Sequence, residues 1–112
     1  MKLSELTRKL KLKVLSGDKL LGREVSGGYS GDMLSDVLAH SAEGDIWITV
    51  QVHLNIVAVS AMKGHSAVLI VHGKTVDPET VKKAEEEKVV LLSTEMGSFE
   101  ASAKVSSLIG KG

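Results

Sequence analysis

"GDIWITVQVHLNIVAVSAMKGHSAVLIVHG", Gly44 to Gly73, holds a strand, a helix and a second strand in direct succession. "DIWITVQ" is rich in β-branched and aromatic residues, which suit a pleated, packed surface. "HLNIVAVSAMKG" is apolar nearly all round, as a well-buried helix is, and Gly64 supplies a left-handed stop. "SAVLIVHG" is a continuous apolar run of the kind buried on both faces of a sheet. Two such strands joined through a helix are parallel, and the crossover is right-handed. This unit sets the fold class.

The pattern extends both ways along the chain. Downstream, Asp77 and Pro78 open a helix whose body is Thr80 to Lys88, with Lys82, Lys83, Glu85, Glu86 and Glu87 as its solvated face. "VVLLST" is the last strand, and Ser98 to Ile109 the last helix. Upstream, Ser4 is placed to cap a helix through Leu10, "LKVL" (Leu12–Leu15) forms a first strand, and Glu24 to Ser26 a second. A glycine loop then leads to a helix with Met33, Leu34, Val37 and Leu38 on one apolar stripe. The expected fold is a single three-layer α/β domain, with a mainly parallel sheet and helices on both faces. It spans residues 1–112, with 1–10 as N-terminal helix and 110–112 as a frayed tail.

At 112 residues, 43% hydrophobic and 25% charged, the chain has the profile of an ordinary globular domain. Its formal net charge is zero, which removes the long-range field that favours nucleic acid or an anionic membrane. The local crowd of Lys2, Arg8, Lys9, Lys11 and Lys13 reads as a helix face, with no aromatic residue to stack on bases. The absence of cysteine excludes disulfides, thiolate metal sites and cysteine nucleophiles. No apolar run reaches the roughly 18 residues a membrane helix needs, and lysines interrupt any signal-peptide core. A cytoplasmic location is expected.

Ligands of open parallel sheets bind beyond the carboxyl ends of the strands. That rule selects Gly27, Gly28, Tyr29, Ser30 and Asp32 in the glycine loop. It adds Thr49, Gln51 and His53 after the third strand, His72 after the fourth, and Ser93 and Thr94 after the last. Known phosphate loops do not fit. The dinucleotide fingerprint G-x-G-x-x-G has Ser26 where its first glycine belongs, and "HGKT" lacks the first P-loop glycine, which falls on Val68. Glycine flexibility and helix N-termini near Asp32, His53 and Ser98 are still compatible with an anion. A metal would need Asp32 beside His53 and His72, and none is assigned; no cofactor is expected. Neither a G-x-S-x-G elbow nor a glycosidase-type carboxylate pair is present. His53 or His72 as a general base is the only enzymatic reading, so catalysis is not the expected role.

The run Glu24-Val25-Ser26-Gly27-Gly28, with "SDVL", "GDIWIT" and "HLNIVAVS" after it, resembles the DRTGG domain family. The resemblance continues through "VLIVHG" and "VVLLST" to the last helix. Both motif glycines match, and Val25 stands where the family has arginine. The fold is similar to that of the N-terminal domain of HPr kinase/phosphorylase. The family's members appear beside phosphotransacetylase domains and CBS pairs. The resemblance implies a non-catalytic regulatory or ligand-sensing module, a homodimer acting with a partner enzyme and binding a small anionic metabolite or nucleotide. The alternative is a structural subunit that docks or dimerises through its helix surfaces.

Overall fold

The computed structural model describes residues 1–110. In chain order the elements are α1 (Leu3–Leu10), β1 (Lys13–Ser16), a 3-10 turn (Asp18–Leu20), β2 (Gly27–Ser30) and α2 (Leu34–His40). There follow β3 (Asp45–Thr49), α3 (Asn55–Lys63), β4 (Ala67–Ile70), α4 (Pro78–Glu86), β5 (Leu91–Ser93) and α5 (Ser98–Gly110). The sheet order is β1-β5-β4-β3-β2; β2, β3, β4 and β5 are parallel, and β1 runs antiparallel on β5. The α/β, mainly parallel reading holds.

Side-chain alternation along the buried strands divides the core in two. Ile46, Ile48, Leu69 and Leu92 face one side, where they meet Leu3 and Leu6 of α1 and Ala101 and Val105 of α5. Trp47, Val68, Ile70 and Leu91 face the other, against Val37 of α2, Ile56 and Val57 of α3, and Ala84 of α4. All residues of β3 and β4 are buried. Full burial explains the continuous apolar run of β4 and the apolar Ile46-Trp47-Ile48 centre of β3. The three layers follow: α1 and α5, the sheet, then α2, α3 and α4.

Several local expectations need correction. The strand expected at Glu24–Ser26 is displaced, because "GGYS" itself forms β2, with Gly27 opposite Asp45 and Tyr29 opposite Trp47. Tertiary packing overrides glycine's weak strand preference here. A Cβ on Gly27 would sit 2.8 Å from the Asp45 carboxylate, so the close approach to β3 requires the missing side chain. Glu24 instead forms an isolated antiparallel bridge with Lys2. β1 begins and ends one residue later than "LKVL". Ser4 is not a cap: Lys2 holds that position without a side-chain bond, and the Ser4 amide donates to Leu21 O at 2.7 Å.

The expected stripe on α2 reduces to Val37 as its one buried residue; Met33 is 63% exposed and Leu38 38%. α3 starts at Asn55, beyond His53, and it is buried on one side only, since Met62 is 75% exposed. Gly64 ends it at φ 68°, as expected. Gly110 belongs to α5, so the tail does not begin there; Lys111 and Gly112 lie outside the described residues.

Candidate ligand-binding groove

The predicted rim residues fall into three separate groups. The first is a clamp. Asp32, just past β2, accepts hydrogen bonds from the Thr49 hydroxyl at 2.8 Å and the Val50 amide at 2.9 Å. Gln51 Nε2 donates to the Asp32 carbonyl at 2.8 Å, and Thr49 is fully buried. The indole N–H of Trp47 donates to Gly31 O at 2.8 Å. These bonds tie the end of β2 to β3, which makes Asp32, Thr49 and Gln51 structural partners of one another.

The second group surrounds the ends of β4 and β5. His72 is exposed at φ 62°, its amide donating to Met96 O at 2.8 Å. The Gly73 amide donates to Thr94 O at 2.8 Å, and Thr94 Oγ1 accepts from the Met96 amide at 3.2 Å. Ser93 lines a cleft of about 290 Å³ that also holds Lys13 and Lys74. His53 stands exposed on the bend before α3. Among the described residues, no three His, Cys, Asp or Glu side chains gather as a metal-binding group.

The third group is a groove of about 300 Å³ between β2 and α5. Gly27, Gly28 and Ser30 line it from the sheet with Ile48; Ser102, Val105, Ser106, Ile109 and Gly110 line it from α5. Tyr29 points to the opposite face of the sheet, toward the Trp47 cluster. The hydroxyls of Ser30 and Ser102 meet at 2.6 Å across the groove. Its lining carries apolar carbons, hydroxyls and backbone, with no ionised side chain. Sequence reasoning found the β2 wall and missed the α5 wall. The signal was present: Ser102, Ser106 and Gly110 recur every fourth residue, so three small residues fall on one helix face.

A further cleft, of about 400 Å³, lies at the opposite ends of the strands, lined by Arg23, Glu43, His65, Ser66 and Lys88 among others. His65 is buried behind it. The Ser41 hydroxyl donates to Val37 O at 2.5 Å, so it accepts from His65 Nε2 at 2.9 Å. His65 Nδ1 then remains a buried acceptor with no partner. Burial pushes the His65 pKa below its usual value, opposed by the charge of Asp45 and reinforced by Lys63.

The fold and groove together define a small α/β domain with a ligand-sized cleft and no assembled catalytic group in it. Residues 5–108 match the model of the DRTGG domain, and the chain belongs to that family. No curated protein matches the chain. Among solved structures it is similar to the CBS and DRTGG domains of the regulatory region of the Clostridium perfringens pyrophosphatase, in complex with the activator diadenosine tetraphosphate. That likeness has a TM-score of 0.69 at 18% identity, covering 93% of this chain and 45% of the other. The chain therefore spans less than half of that regulatory region, and what the two share is the fold. No helix among the described residues is long and apolar enough to cross a membrane.

Proposed function

We propose that this domain is a non-catalytic regulatory module that takes a small ligand in the groove between β2 and α5. Occupancy of the groove is passed on to a partner enzyme. The observation that carries the reading is the groove itself, with glycines on one wall, small residues on the other and an apolar floor. Family membership supports a regulatory role, and the similar pyrophosphatase region is complexed with a nucleotide activator. The uncharged lining suits the base or sugar of a nucleotide-like ligand; its anionic part would lie outside, toward solvent.

A thermal-shift series with adenosine, AMP, ATP, diadenosine tetraphosphate and acetyl phosphate tests this. A ligand at 100 times its Kd adds about 2.7 kcal/mol to stability. Ser106 is exposed on α5, so Ser106→Leu fills the groove without disturbing the core. A nucleoside or nucleotide is expected to raise the Tm of the wild type and not of Ser106→Leu. If none of these compounds raises the Tm, or both proteins respond alike, the groove is not the site.

A docking role is favoured by one observation: Phe99, the chain's only phenylalanine, is 91% exposed at the start of α5. Phe99→Ser would then release a co-purifying partner while leaving any ligand response intact.

A further inference from the structure

The cleft of about 400 Å³ at the starts of the parallel strands is assembled from the segments that lead into them. Arg23 precedes β2, Glu43 precedes β3, His65 and Ser66 precede β4, and Lys88 precedes β5. The cleft shares no lining residue with the groove between β2 and α5. Two observations set its chemistry. The first is a pair of unmet hydrogen bonds in neighbouring residues. His65 and Ser66 are only 5% and 3% exposed, and His65 Nδ1 and Ser66 Oγ are buried without a partner. Native folds seldom leave such atoms unpaired. Burial keeps the imidazole neutral, and with its proton on Nε2, facing Ser41, Nδ1 can only accept. This wall calls for a donor.

The second observation is charge without compensation. The Arg23 guanidinium donates to Lys88 O at 2.7 Å and Ser66 O at 3.4 Å. Among the described residues, neither Arg23 nor Lys88 forms an ion pair, and Glu43 forms none either. Glu43 packs on Gly64 at the C-terminal end of α3, where a Cβ would sit 3.2 Å from Glu43 Cγ. A carboxylate is unfavourable at the negative end of a helix dipole. Lys63, the cation of that last turn, donates instead to Leu38 O at 3.0 Å. The cleft thus holds an unanswered acid and two unanswered cations.

We propose that this cleft binds a free α-amino acid, whose ammonium donates to Glu43 and His65 Nδ1 and whose carboxylate accepts from Arg23 and Lys88. This goes beyond the groove reading and does not depend on it. The Ser66 hydroxyl, able to donate or accept, serves whichever end of the ligand lies against it. A simple amine would leave Arg23 and Lys88 unanswered, and a simple acid would leave Glu43 and Nδ1 so. The volume lies in the range of small-ligand pockets and leaves room for a side chain.

The protein amino acids, each added in millimolar excess to the wild type, test this by thermal shift. At least one is expected to raise the Tm, while its decarboxylated amine and its deaminated acid do not. The nitrogen resonance of His65 Nδ1 should move as the atom gains a donor. Glu43→Gln and Lys88→Gln alter exposed side chains and should keep the wild-type Tm without ligand. Each should weaken binding about tenfold or more, the loss of a hydrogen bond to a charged group. Ser106→Leu, in the groove, should leave the response intact. The proposal is overturned if no amino acid raises the Tm, or if the amine or the acid alone does as well. It is equally overturned if both cleft variants bind like the wild type, or if Ser106→Leu alone abolishes the response.

Discussion

At the scale of single residues, Asp32 shows how an apparent ligand group is consumed by the fold. In the sequence it is an acidic residue following glycines at a strand end, the kind of position that serves a metal or a polar substrate. In the structure its carboxylate holds the buried Thr49 hydroxyl and the Val50 amide. Asp32→Ala strands that hydroxyl, and leaving a buried polar group unpaired costs about 1–3 kcal/mol. Urea unfolding should show a loss of that size, with Asp32→Asn losing less because its amide oxygen can still accept. An unchanged midpoint would mean the clamp contributes nothing.

At the scale of elements, β1 illustrates how an irregular edge stays paired. Ser16, at the register shift, donates from Oγ to Val89 O at 2.9 Å and accepts from the Leu91 amide at 3.0 Å, all buried. Its side chain thus replaces ladder bonds lost at the bulge. Ser16→Ala should cost about 1–3 kcal/mol, whereas breaking the exposed Lys104–Glu100 pair on α5 should cost under about 0.5 kcal/mol. Comparing the two urea midpoints checks this ranking. β3, α3, β4 and α4 were legible in the sequence because burial on both faces, Gly64 and Asp77-Pro78 leave local signals. β2 was not, because Gly27 answers to a contact from another strand, the Asp45 side chain of β3, which local sequence does not reveal. The groove was half legible for the same reason. Its β2 wall is marked by glycines beside a strand end, while its α5 wall is a spacing of small residues that means nothing until the helix is laid on the sheet.

At the scale of the whole molecule, stability is tied to pH through His65. Its pKa is lowered in the folded state from the ordinary 6.5 because the ring is buried. The unfolded chain therefore binds the proton more readily. The contribution of neutral His65 is complete above pH 6.5 and is lost as pH falls from there through the lowered folded value. Urea midpoints should decline on acidification from about pH 7.5 to about pH 5, and His65→Gln should flatten that decline; equal slopes would assign it to other groups. Glu24, held below the usual carboxylate range by the N-terminal ammonium and Lys2, titrates in a lower window and leaves this one clear. The bond from Trp47 to Gly31 O has an optical consequence. The chain has one tryptophan, fully buried in the middle of the sheet, and its only side-chain polar atom is hydrogen-bonded to Gly31, the residue just past β2. Its emission wavelength is thus a built-in, label-free gauge of the β2 terminus, able to follow events in the groove in real time.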